Sequence, residues 1–373
     1  MKRFGVVSYN IYCNFTNYGS ALQTYALQKA ANRLGQGQWE VILVDYCPDL
    51  LADKNPLDPF ENMWDQDEES RRMCELTMPA IRENYEKFND FYETRLKKSA
   101  QKYSSDNFND VVKNENLDGF ICGSDTIFCP DEFGFDDGYY GNYDCMRNGY
   151  TVAYAASFGD PHFTEETWPI LNERLNNFKA FGLRENLMIP YVKEHTEVPV
   201  QRVIDPTLLL QYEDYDALAS ERLVQEKYLL MYSRRYNPKM EAYAEQMARE
   251  NGWKIVEISL RATNAEKGHI MFYQAGVEEF LSLVKYAEFV VTNSFHGLIL
   301  SAQFHREFVI FSREQCNTKI QEVLELFGTS DRMLVNGAEP ISDRINYKEV
   351  HQRIGEARER SLAFLREELE GCN

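Results

Sequence analysis

Residues 3–46 read RFGVVSYNIYCNFTNYGSALQTYALQKAANRLGQGQWEVILVDY. The first seven, RFGVVSY, form an apolar run of strand length. A polar loop follows. SALQTYALQKAANRL then carries apolar residues at 22, 26, 30 and 34, the spacing of one helix face. Gly35 supplies the expected helix stop, and EVILVDY (40–46) is a second buried strand closed by Pro48. Strand, helix and strand over this length make a βαβ unit, which commits the chain to a parallel sheet.

The same alternation extends outward. DGFICGS (118–124), TVAYAAS (151–157), KAFGLRE (179–185) and QRVID (201–205) read as further strands with helices between them. Residues 50–117 differ: they are charged and aromatic, with helical stretches such as RENYEKFNDFYETRLKK and few strand signals, as expected of a helical insertion or lid. The pattern restarts after Leu210, with strands at 227–233, 253–259, 289–293 and 307–312. Helices over KMEAYAEQMAREN, GVEEFLSLVKYAE and HGLILSAQF separate them. The expected class is α/β: two Rossmann-like domains with parallel sheets facing a cleft, a glycosyltransferase-B-like architecture, and a charged C-terminal helix. The domains are expected at 1–210 and 211–345, with the helix over 346–373.

The chain has 373 residues, beyond what one hydrophobic core usually serves. Its formal charge is −19, from 40 basic and 59 acidic residues, which argues against nucleic acid as a partner and allows at most peripheral membrane contact. Eight cysteines are scattered without a CxxC pair, suiting a reducing compartment rather than a disulfide framework or a zinc site. The N-terminal apolar run is too short for a signal peptide, and none approaches the ~18–20 residues that span a bilayer. A cytoplasmic protein without a metal centre is expected.

Ligands in such folds bind beyond the carboxyl ends of the strands, where helix N-termini offer free N–H groups to anions. Five stretches qualify. VVTNSFHGLIL (290–300) sets Asn293, Ser294, His296 and Gly297 between a strand and an apolar helix, with a titratable ring among small polar groups. NFTNYGSALQ (14–23) offers Asn17 and Gly19, readable equally as a turn with Asn17 or Ser20 as the helix cap. ICGSD (121–125) ends a strand in Ser124 and Asp125, residues that a plain turn also favours. FGLREN (181–186) places Arg184 where a guanidinium can fork onto a carboxylate or phosphate; the bland reading is a surface pair with Glu185. MYSRRYNPK (231–239) adds Arg234 and Arg235, candidates for phosphate or merely solvated charges. Asp205, in IDPTLLL, reads better as a turn before the crossover than as a catalytic group. The remaining histidines read as surface or structural.

In order and spacing, NYGSALQTYALQ, FICGSD, YAASFG, LRE, DPTLLL, the block from Gly276 to Gly297 and NTKIQEVLELFGTSDR resemble the polysaccharide pyruvyl transferase family over nearly the whole chain. The resemblance is weakest over 50–117, 130–148 and the tail. It implies transfer of pyruvate from phosphoenolpyruvate, as donor substrate and without a cofactor, onto two hydroxyls of a sugar in a glycan or lipid-linked glycan. His296 holds the place of the family histidine and Arg184 that of its strand-end arginine. Characterised members often carry arginine before the Leu-His pair, where this chain has Ser294 and Phe295. Many relatives read Gly-Ser-Asp-Gln and soon after tryptophan, where this chain has Thr126 and Phe128. The alternatives are a nucleotide-sugar glycosyltransferase and a non-catalytic carbohydrate-binding member.

Overall fold

The structure, a computed structural model, describes residues 1–62, 66–312, 317–337, 339, 341 and 343–372. The first sheet contains β1 (Lys2–Val7), β2 (Trp39–Tyr46), β3 (Lys98–Tyr103), β4 (Gly119–Cys122), β5 (Tyr150–Ala156), β6 (Ala180–Leu183) and β7 (Val200–Arg202). They lie in the order β3-β2-β1-β4-β5-β6-β7, and every pairing is parallel. The second sheet contains β8 (Tyr228–Tyr232), β9 (Lys254–Ile258), β10 (Ile270–Met271), β11 (Phe289–Thr292), β12 (Glu307–Phe311) and β13 (Met333–Leu334). Its order, β10-β9-β8-β11-β12-β13, repeats that topology, again all parallel. Central strands such as GFIC and FVVT are buried at every position, as strands covered by helices on both faces must be. The strand order reverses between β1 and β4 and between β8 and β11, so each sheet presents a switch point at its carboxyl edge.

The sequence runs overshoot the ladders at these edges. Ser8, Tyr9, Ser124, Arg184 and Asp205 read as strand ends but lie just past the last paired residue. Helix Tyr18–Gly35 also ends differently from expectation. The left-handed residue is Gln36, at φ 45°, not Gly35. Gly35 is small for another reason: a Cβ there would sit 2.8 Å from the Trp39 ring. Gly252, at φ 67°, does end helix Pro238–Asn251 as expected.

Residues 50–117 hold helix Glu68–Arg95 and then β3. KSAQKY gave little strand signal because an edge strand buries only Ser99 and Tyr103. The helix docks across both halves rather than lying over one. Asn84 donates to the Ala275 carbonyl (2.6 Å), and Lys87 pairs with Glu279 (2.7 Å). Tyr18 completes this contact: its ring stacks on Phe280 at 4.2 Å, and its hydroxyl donates to the same carbonyl. One apolar cluster, including Leu22, Phe88, Phe280 and Leu298, therefore runs through both halves. Helix Tyr347–Gly371 leaves the second sheet and returns to the first, where Phe364 packs on Gly182 and Arg358 donates to the carbonyls of Leu208 and Leu210.

Candidate functional site

The carboxyl edges of the two sheets meet through two helix starts. Helix Phe295–Gln303 follows β11; Ser294 caps it by accepting the Gly297 N–H (3.2 Å). Helix Tyr18–Gly35 follows β1; Asn17 caps it by accepting from the N–H groups of Gly19 and Ser20. The His296 ring, 8 % exposed, lies directly against Gly19. A Cβ at residue 19 would stand 1.9 Å from the imidazole Nδ1, so only glycine admits this contact.

Around that contact lies a buried set of charges. Asp205 stands after β7; its Oδ1 accepts from the Thr207 N–H (2.9 Å) and hydroxyl (2.6 Å). Its Oδ2 accepts from Arg184 Nη1 at 2.9 Å and lies 3.5 Å from His296 Nε2, at the limit of a hydrogen bond. Arg184 also donates from Nε to Glu185 (2.7 Å), which in turn accepts from the Ser157 hydroxyl. The Arg184 guanidinium stacks over the Phe295 ring at 4.7 Å, and Lys319, almost fully buried, reaches the same ring. Asp125 accepts from the Ser20 hydroxyl (2.6 Å), which joins β4's edge to the helix start. Arg184 Nη2, His296 Nε2 and Ser124 Oγ are buried without a hydrogen-bond partner. Such groups cost free energy unless a ligand satisfies them.

Electrostatics holds Asp125, Asp205 and Arg184 in their charged forms. Burial pushes the Asp125 carboxyl up, but the charge of a protonated His296, then Arg184 and Lys319, outweighs it and leaves Asp125 below the usual carboxylate range. Asp205 is likewise held low: burial is outweighed by His296, Arg184 and Thr207. Burial draws Arg184 down, yet Glu185, Asp205 and Asp125 raise it above an ordinary arginine. The cluster is a fixed array of three carboxylates (Asp125, Asp205 and Glu185), two cations and an imidazole, with donors left over for an anion.

The structure brings Gly19, Ser124, Asp125, Arg184 and His296 together. The side chains of Asn17 and Ser294 serve as caps. Asn293 braces the loop after β8, accepting from the Arg234 N–H and donating to the Arg235 carbonyl. Gly297 leaves room for Thr292 and Tyr232. Half-buried Arg234 reaches across to the Thr16 carbonyl (3.1 Å) with its guanidinium over Phe15, and Arg235 lies on the same loop. Arg184 does pair with Glu185, but the pair is buried, so the surface-pair reading does not hold. Asp205 is a turn cap and also the bridge between Arg184 and His296, which its reading as a mere turn missed. Lys319 was missed too, and Ser20 reads in the sequence only as a possible helix cap. A buried lysine on an amphipathic helix gives no signal in one sequence, whereas the second Oδ of Asp205 could have been suspected once two strand-end residues were placed beside it. Thr126 and Phe128 serve the fold, since Thr126 donates to Glu132 and Phe128 stacks on Tyr140.

Among the described residues no group of three His, Cys, Asp or Glu could hold a metal ion, and no helix is long and apolar enough to cross a membrane. Two cavities, of about 560 and 390 Å³, lie away from this cluster.

Among solved structures, the chain is similar to the UDP complex of MnaA from S. aureus, at 13 % identity over 95 % of this chain and 88 % of that one, with a TM-score of 0.50. It is also similar to a putative UDP-N-acetylglucosamine 2-epimerase from Listeria monocytogenes, at 11 % identity over 97 % and 90 %, with a TM-score of 0.51. At these identities the likeness shows the two-domain fold alone. No curated protein matches the sequence. A family model described as polysaccharide pyruvyl transferase matches residues 17–315.

Proposed function

The chain belongs to the polysaccharide pyruvyl transferase family, and we propose that it moves the pyruvyl group of phosphoenolpyruvate onto two hydroxyls of one sugar, forming a cyclic ketal. The observation that carries this reading is the unsatisfied, buried pair of donors, Arg184 Nη2 and His296 Nε2, within one cluster drawn from both halves. A dianion-bearing, carboxylated donor would satisfy Arg184, with Lys319 on the same aromatic ring supplying a second cation. Serine at 294 leaves the helix start neutral, so these two residues carry the neutralisation that an arginine there would share.

The reaction balances without a further reagent. A proton is delivered to the methylene carbon of phosphoenolpyruvate, giving a methyl group and an oxocarbenium-like centre. One sugar hydroxyl attacks that carbon and loses its proton; the C–O bond to phosphate breaks; the second hydroxyl closes the ring and loses its proton. The sum is one donor and one diol giving one ketal and inorganic phosphate. In this reading His296 gives and takes these protons and Asp205, 3.5 Å from its Nε2, orients its ring. Asp125 faces the same charges and is held ionised by them. No metal is needed, because arginine and lysine neutralise the donor. The acceptor is a glycan or a lipid-linked glycan.

The test is phosphate release from phosphoenolpyruvate against a panel of glycans, with the ketal methyl group followed by NMR. Release that depends on a sugar diol and is matched by a new ketal signal is the expected result. Turnover of a UDP-sugar with phosphoenolpyruvate untouched would overturn the proposal in favour of a glycosyltransferase.

A further inference from the structure

The larger cavity, about 560 Å³, lies at the opposite end of helix Tyr18–Gly35 from Gly19. From Gly19 to Arg33 the helix runs roughly 20 Å, so this cavity is no part of the site above. Three segments wall it: the last turns of that helix, the crossover after Asp205, and the C-terminal helix. Its lining mixes aliphatic residues, Ala30, Leu34, Leu209 and Leu362, with charged ones whose charges do not cancel evenly.

Asp214 is fully engaged, taking the Arg33 fork and Lys29 at 3.4 Å. Arg358 and Arg366 have no carboxylate within ion-pair distance among the described residues, and Glu213 is the remaining acidic group on the wall. Arg358 uses Nε and Nη2 on the carbonyls of Leu208 and Leu210, which leaves Nη1 over. Arg366 is exposed at the rim. Residues 358, 362 and 366 are four apart, so Arg, Leu and Arg share one face of the C-terminal helix. Burial draws the Arg358 guanidinium down, and Asp214 and Glu213 do not restore it. An anion beside it would remove that cost.

We propose that this cavity binds a free small amphiphilic anion, one phosphate or carboxylate on an aliphatic body, with the anion between Arg358 and Arg366 and the chain against Leu34, Leu209 and Leu362. The volume suits a small molecule. A soluble ligand rather than a bilayer is the occupant because a chain of net charge −19 is repelled by an anionic surface. The inference is independent of the reaction proposed for the other site.

The probe is decyl phosphate, measured by calorimetry against the full chain, beside decanol, inorganic phosphate and vesicles of phosphatidylglycerol. Decyl phosphate should bind with a Kd below about 1 mM, and at least tenfold more tightly than decanol or phosphate alone. Arg366→Glu, at an exposed position, should fold normally by circular dichroism and weaken decyl phosphate at least tenfold. Leu362→Asn should weaken it too, while leaving inorganic phosphate unchanged. No binding, equal binding of decanol, or an unchanged affinity in Arg366→Glu would overturn the proposal. Vesicle binding that needs Arg366, with no binding of the soluble probe, would overturn it in favour of a membrane contact.

Discussion

Replacing Asp205 with asparagine tests the bridge between arginine and histidine. Asparagine keeps an oxygen for the Thr207 N–H and hydroxyl, so the turn survives. It loses the Oδ2 charge that accepts from Arg184 at 2.9 Å and faces His296 at 3.5 Å, and puts an N–H₂ against two donors. Breaking a buried pair commonly costs about 3–5 kcal/mol. Here Arg184 retains Glu185, so about 3 kcal/mol is expected, within the roughly 5–15 kcal/mol of an ordinary domain. The protein should therefore remain folded, with a lower urea midpoint. The 3.5 Å contact to His296 is long, so its orienting effect belongs at the lower end of general acid–base contributions, about 10²–10³ in kcat. KM for phosphoenolpyruvate should rise as well, because Arg184 is freed to move. The control is Thr207→Val, which removes one donor to Oδ1 and leaves Oδ2 in place; it should cost less than about tenfold. Asp205→Asn within threefold of wild type in kcat, with an unchanged urea midpoint, would refute the reasoning and leave Asp205 a turn cap.

His296→Gln should abolish phosphate release, by about 10²–10⁴, with an unchanged circular dichroism spectrum; activity within threefold of wild type would remove the histidine from the chemistry. Arg184→Lys should lose roughly 2–3 kcal/mol in kcat/KM because an ammonium cannot reproduce the fork, whereas Glu185→Gln should lower stability more than kcat/KM; equal behaviour of the two would place the anion elsewhere. Activity should survive exhaustive EDTA treatment, and loss restored by Mg²⁺ or Mn²⁺ would count against cationic side chains as the neutralising groups. Burial raises the Asp136 carboxyl to about 6 despite hydrogen bonds from Tyr139 N–H and Tyr46. Its folded pKa thus exceeds the unfolded value, so its stabilisation is full below about pH 4 and lost as pH rises through about 6. Asp136→Asn should therefore gain about 3 kcal/mol on wild type between about pH 4 and 7.5 in urea unfolding; a difference constant with pH would reject the shift.

The parallel class was legible because central strands are buried on both faces and read as continuous apolar runs, with caps such as Asn17 and Ser294 and the Gly252 stop marking some helix ends. The edge strand β3 was not, since KSAQKY buries only two side chains and pattern reports burial rather than pairing. In the site, His296 stood out as a titratable ring in an apolar run. Arg184 stood out by its place at a strand end, but its burial did not show, because one sequence cannot say which side of a strand terminus another element covers. Asp205 was hidden by its own second role. DPT is fully explained as a capped turn, and only the fold brings the other oxygen of that aspartate near a histidine far along the chain. Lys319 was hidden for a plainer reason, because a long side chain on an amphipathic helix reads as solvated.

The abutment of Gly19 on His296 bears on what the reaction must avoid. An oxocarbenium-like carbon is attacked by any nearby oxygen, and bulk water competes with one bound diol. A site open to solvent would spend its donor on hydrolysis, releasing phosphate and pyruvate with no sugar modified. Here the imidazole, the three carboxylates and the arginine are all buried, and the histidine is backed by bare main chain from the opposite half. Any side chain at residue 19 would prop that seam ajar, and its signature would be free pyruvate gained at the expense of ketal rather than a simple fall in rate.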